Sequence, residues 1–229
     1  MPGVICLQGG REFTDQCREM DAEVLSVAGV AARAESGRAD RGSVAVLAGA
    51  ARRGTDYAGA SKRARRHYEA LGASVVVVPD PRDGIEAAVE SLTDDIALLV
   101  LPGGSPASLR EVLSGRVRQR VVDLHDAGMS ISGASAGAMV LCSRMVRPNG
   151  GAEVVDGLGL VDGLALPHWT PGSDRGWPVP DDLDLWGLPE CGGVIVEGRP
   201  GSLTVRAVGK NEPAVRRNGS WRPVPRGAD

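Results

Sequence analysis

The first 140 residues alternate short apolar runs with amphipathic segments. The runs are Val4-Ile5-Cys6-Leu7, Val44-Ala45-Val46-Leu47, Val75-Val76-Val77-Val78 and Ile96 to Leu101. Each is followed by glycine or proline, the punctuation expected of strands buried on both faces. Helical periodicity fills the intervals at Tyr57 to Leu71, Asp83 to Leu92, Ser108 to Leu113 and Val117 to Ala127. A fifth strand, Met129 to Ser132, leads into Gly133 and a helix starting near Ala138. This βαβα alternation predicts an α/β fold with a doubly wound, mainly parallel sheet in three αβα layers. Aromatic residues are only 3% of the chain, and Phe13 is the sole phenylalanine, so the core must be built from Val, Leu, Ile and Ala. Such a core suits buried parallel strands.

After Pro148 the texture changes, and glycine, proline and short β-like runs replace the alternation. Strands are expected at Val194 to Val196 and Leu203 to Val208, with a hairpin turn around Arg217-Asn218-Gly219-Ser220. Pro167 to Pro189 reads as a long ordered loop. No internal repeat or long linker divides the 229 residues. The expectation is a single α/β domain over 1–229 with a β-rich portion from about residue 190.

Charge and cysteine usage narrow the function. A net charge of -3 and short arginine clusters argue against nucleic acid as a partner. No apolar run approaches the length of a membrane span, and the start MPGVICLQGG has no charged region ahead of its apolar run, so a cytoplasmic protein is expected. Cys6, Cys17, Cys142 and Cys191 form no C-x-x-C pair, which reads as reduced thiols without a zinc site or disulfide framework. Neither metal nor other cofactor is expected.

Chemistry concentrates at Gly133-Ala134-Ser135-Ala136-Gly137, a G-x-S-x-G pattern on a strand-to-helix turn. Such a nucleophile elbow exposes a serine hydroxyl above the carboxyl end of the sheet, and small neighbours permit the strained backbone. The amide of Ala136 can then face a developing oxyanion. Leu101-Pro102-Gly103-Gly104-Ser105 ends a neighbouring strand, making Gly104 the second amide donor and Ser105 the N-cap of the next helix. Of three histidines, His67 and His125 lie in helical text and read as solvated residues. His168 ends the apolar run Leu164-Ala165-Leu166-Pro167, where a sheet with chemistry at its carboxyl edge would hold a base.

This set, with Gly157-Leu158-Gly159-Leu160 ahead of Pro167-His168, resembles the serine exopeptidases that include dipeptidase E and cyanophycinase. The likeness runs from Val4 to about Val208. It implies a flavodoxin-like fold, similar to class I glutamine amidotransferases, and a triad of Ser135, His168 and a carboxylate. In the cyanophycinase branch Glu153 falls at the triad glutamate, whereas the dipeptidase branch would place an aspartate where Gly150 stands. Asp156 competes for the orienting role, and Glu197 is the next acid. Family members follow the histidine with an arginine-bearing helix. Here three prolines and two glycines between Trp169 and Pro180 predict a loop instead. Arg175 is the only arginine or lysine between Arg147 and Arg199, and is the candidate to meet a substrate carboxylate, with Trp169 walling the pocket.

The expected activity is serine-type hydrolysis of a small peptide or amide, with an acidic acyl-side residue implied by the resemblance. Two readings compete. An amidotransferase-like ammonia supplier would need cysteine at Ser135, and Cys142 lies seven residues beyond the elbow. A catalytically silent binding or regulatory module would keep the fold without needing the Ser, His and acid set. The partner expected is a small peptide, with a homodimer as the assembly to test.

Overall fold

The computed structural model describes residues 1–30, 42–147, 153–177, 179–180, 182–199 and 202–227. The apolar runs become β1 (Ile5–Gln8), β2 (Ser43–Val46), β3 (Val75–Val77), β4 (Ile96–Leu101) and β5 (Ser130–Ala134). These five are parallel in the order β1-β5-β4-β2-β3. Between and after them lie α1 (Arg18–Val27), α2 (Thr55–Glu69), α3 (Ile85–Ser91), α4 (Pro106–Val112), α5 (Gly115–Asp126) and α6 (Ala136–Leu141). Every side chain of β4 is buried, and the strand divides them between two cores. Ile96, Leu99 and Leu101 join the core on one face, and Ala97, Leu98 and Val100 join the core on the other. Helices on both faces are what a strand of this composition requires.

The chain beyond α6 first forms an antiparallel ribbon of β6 (Arg144–Arg147) and β7 (Glu153–Asp156). Next come β8 (Leu164–Leu166) and β9 (Leu185–Gly187), which pair in parallel. The stretch 167–189 is therefore not one long loop. Three buried residues, Leu185, Trp186 and Gly187, make a strand too short to stand out among prolines and aspartates. The strands expected at Val194 to Val196 and Leu203 to Val208 are present within β10 (Gly192–Arg199) and β11 (Ser202–Gly209). Both extend the main sheet, β10 lying antiparallel against β1. The hairpin joins β12 (Ala214–Arg217) to β13 (Ser220–Pro223), with Asn218 at φ 49° and Gly219 at φ 75°, the left-handed pair of a type I′ turn. These two strands complete a second sheet with β9 and β8.

Gln8, Leu101 and Ala134 end β1, β4 and β5 on the same edge of the sheet. The rim of an α/β sheet outside its carboxyl ends is where ligands bind. Buried polar bonds lock the rim from below. The Gln8 amide donates to Asp21 Oδ1 at 2.8 Å and to Ser132 Oγ at 3.0 Å, and Asp21 Oδ2 lies 2.7 Å from His67 Nε2. Each side chain is almost inaccessible, so loss of one member would leave its partners unsatisfied. Among the described residues, no helix is long and apolar enough to cross a membrane.

Candidate active site

Ser135 sits between β5 and α6 at φ 49° and ψ -106°, a strained conformation for a residue with a side chain. The elbow holds because its neighbours are small. A Cβ at Gly133 would stand 2.5 Å from the Gly137 carbonyl carbon, and one at Gly137 would stand 2.3 Å from the Leu101 carbonyl oxygen. Helix propensity alone favours alanine over Gly137 by about 1 kcal/mol. The obstacle is backbone, however, so Gly137→Ala is expected to destabilise the fold by about 1–3 kcal/mol. A lowered urea midpoint at unchanged slope is the signature. The Gly157 to Leu160 segment crosses behind α6, Leu158 N–H donating to the Val140 carbonyl and Leu160 N–H to that of Leu141.

His168 follows β8 after Pro167 and is also left-handed, at φ 54°. Its Nε2 is 3.0 Å from Ser135 Oγ. Its Nδ1 is 2.7 Å from Glu190 Oε1. Gly10 makes room for the ring, since a Cβ there would meet His168 Cε1 at 2.5 Å. Glu190 precedes β10 in the turn Leu188-Pro189-Glu190-Cys191, and that turn is tied to the loop after β1 by Cys191 N–H donating to the Gly10 carbonyl. Arg11 Nε lies 3.7 Å from the second carboxylate oxygen. Of the six non-glycine residues with positive φ among the described residues, five are Arg11, Phe13, Ser135, His168 and Cys191. All five belong to this site or flank it, and strain of this kind concentrates at functional sites.

The carboxylate expected at His168 requires correction. Glu153 lies on β7 and faces Arg147 across the ribbon at 3.6 Å. Asp156 pairs with Arg144 at the other end. Neither touches His168, because the chain between α6 and β8 leaves the rim to form that ribbon. Glu197 is exposed on β10, seven residues beyond Glu190. The one sequence signal for Glu190 was an acid in a Pro-Glu-Cys-Gly-Gly turn entering an apolar strand.

His67 is not solvated but held by Asp21, and His125 is buried with Nδ1 3.0 Å from the Met129 carbonyl. Burial lowers the His125 pKa. Cys142 is fully buried at the end of α6, and burial pushes its thiol up, away from nucleophilic use. Gly104, at φ 145°, presses against the Ala50 carbonyl, and Ser105 caps α4 through Ser108 N–H as expected. The Gly103 amide donates to Glu12 Oε1 at 2.9 Å. Among the described residues, no acceptor takes the amides of Gly104 or Ala136. The residues after His168 turn rather than form a helix, and Arg175 is exposed there with no ion pair among the described residues. The neighbouring Asp174 accepts from Arg216 and Trp221 instead. Trp169 stacks on Trp221 at 5.0 Å and covers Gly187, which makes it a packing residue of the second sheet.

With this geometry in place, comparison with known proteins is decisive at the level of family. The profile of peptidase family S51 matches residues 39–179. The chain belongs to peptidase family S51. It is accordingly a serine-type peptidase of the dipeptidase E and cyanophycinase group. Among curated proteins, none matches. A peptidase from an acI-B1 Actinobacterium superposes over 100% of this chain and 96% of its own at a TM-score of 0.77 and 20% identity. A peptidase E candidate from Listeria monocytogenes EGD-e covers 91% of this chain and 100% of its own at a TM-score of 0.57 and 14% identity. At such identities the two structures establish a shared fold.

Proposed function

We propose that this S51 peptidase is a serine exopeptidase whose triad is Ser135, His168 and Glu190. The observation that carries the reading is the unbroken chain from Ser135 Oγ through the imidazole to the Glu190 carboxylate, at 3.0 and 2.7 Å. Glu190 accepts from Nδ1–H and so leaves Nε2 as the basic nitrogen facing the hydroxyl. Ser135 transfers its proton to His168 as Oγ bonds to the substrate carbonyl carbon. The carbonyl oxygen takes up the negative charge and is met by the Gly104 and Ala136 amides. The imidazolium, stabilised by Glu190, returns the proton to the departing amine. Water then repeats the sequence on the acyl-enzyme. Arg175 is the guanidinium this reading assigns to an acidic acyl-side residue.

Every charge in this scheme is handled by side chains and amides. Among the described residues no three His, Cys, Asp or Glu side chains are grouped to hold a metal ion. Hydrolysis of short peptides is therefore expected to survive exhaustive chelation with less than a twofold change in rate and to stop after treatment with a fluorophosphonate. Activity that falls with chelation and returns with zinc would replace the triad with a metal-activated water.

A further inference from the structure

The triad does not use Glu12, yet that carboxylate stands at its edge. Glu12 Oε1 accepts the Gly103 amide at 2.9 Å. A Cβ at Gly103 would lie 2.8 Å from Glu12 Oε1 and 3.2 Å from Ser135 Cβ, so the carboxylate and the nucleophile flank the same glycine. The loop that carries Glu12 is shaped for the purpose. Residues on both sides are left-handed, Arg11 at φ 58° and Phe13 at φ 64°. The Arg11 carbonyl accepts from Thr14 Oγ1 and Cys17 Sγ, and the Phe13 ring packs 5.6 Å from His67 and 6.1 Å from Tyr68. Two strained residues held by separate contacts fix a half-buried carboxylate between them. Arg11 does not neutralise it, because its guanidinium is turned to Glu190.

We infer that Glu12 is a specificity-determining residue that binds the free α-ammonium group of a peptide substrate. The inference rests on the proposed triad. With one oxygen held by an amide, the carboxylate keeps its second oxygen for a cation. The α-nitrogen of a peptide is one carbon away from the carbonyl carbon, so an ammonium at Glu12 brings the first peptide bond to Ser135. An N-terminal anchor of this kind limits cleavage to the first residue. A charge-assisted hydrogen bond is worth about 1.5–3 kcal/mol, or roughly 10- to 150-fold in kcat/KM.

The test uses two pools of dipeptides X-Ala, with X each of the twenty amino acids, one pool free and one N-acetylated. Depletion is followed by mass spectrometry for wild type and Glu12→Gln. The wild type should consume free members at least tenfold faster than their acetylated forms, and Glu12→Gln should reduce that ratio at least tenfold. Equal consumption of both pools by the wild type, an unchanged ratio in the variant, or no consumption by a protein whose Ser135 reacts with a fluorophosphonate would overturn the inference and leave the triad standing. A wild type that neither consumes peptides nor reacts at Ser135 overturns the triad, and Glu12 with it. Because the ratio is taken within one protein, a general loss of folding or turnover does not mimic the expected result.

Discussion

Ser135→Ala is expected to lower peptide hydrolysis by at least about a thousandfold in kcat while leaving the protein folded. The hydroxyl has one side-chain partner, His168 at 3.0 Å, and the elbow is shaped by Gly133 and Gly137 rather than by the serine itself. Alanine at φ 49° carries the same backbone strain as serine, so the thermal or urea midpoint should change by less than about 1 kcal/mol in stability. Measuring kcat beside the urea midpoint separates the two effects. Wild-type turnover in a folded Ser135→Ala protein would remove the serine from the mechanism. The residual rate carries information as well, since the amides of Gly104 and Ala136 would still polarise a bound carbonyl.

Glu190→Gln should have the next largest effect, a fall in kcat of about three to four orders of magnitude. An amide at this position can donate to Nδ1, which moves the imidazole proton to Nε2 and presents Ser135 with a donor where it needs an acceptor. The His168 and Glu190 side chains are 54% and 41% exposed, so the effect comes from the tautomer and the orientation of the ring rather than from the strength of an ion pair. Glu153→Gln is the matched control. Glu153 makes an exposed contact with Arg147 on the ribbon, and its neutralisation should change kcat by less than twofold. The reverse pattern in the two variants would return the orienting role to the ribbon.

The contrast between these acids shows what a single sequence discloses. β4 is six consecutive apolar residues followed by Pro-Gly-Gly, a short run with a stop signal that suits a strand buried on both faces. The elbow is equally local, because strand, small residues, serine and helix follow one another without interruption. His168 could be located because it closes an apolar run. Glu190 becomes the histidine's partner only when β10 inserts antiparallel beside β1, a pairing between residues nearly two hundred positions apart. The family resemblance pointed instead to Glu153, which the β6–β7 ribbon holds against Arg147.

α1 escaped for a different reason. Its inner face includes Asp21, and a buried carboxylate interrupts the apolar stripe by which an amphipathic helix is recognised. That acid is satisfied by Gln8 from β1 and His67 from α2, neither of them near it in the chain, so His67 read as a solvated helix residue. Glu12 likewise gains meaning only from its bond to Gly103, ninety-one residues away. Local order in the chain exposed the nucleophile and its base. Their carboxylate partners depend on how the sheet closes.

The most direct measurement is the site of covalent modification by a fluorophosphonate, mapped by peptide mass spectrometry after digestion. The triad predicts one adduct per chain, on Ser135, formed by the wild type, slowed by about two orders of magnitude or more in Glu190→Gln and lost in Ser135→Ala. An adduct on any other residue, or none on a folded wild-type protein, would contradict it.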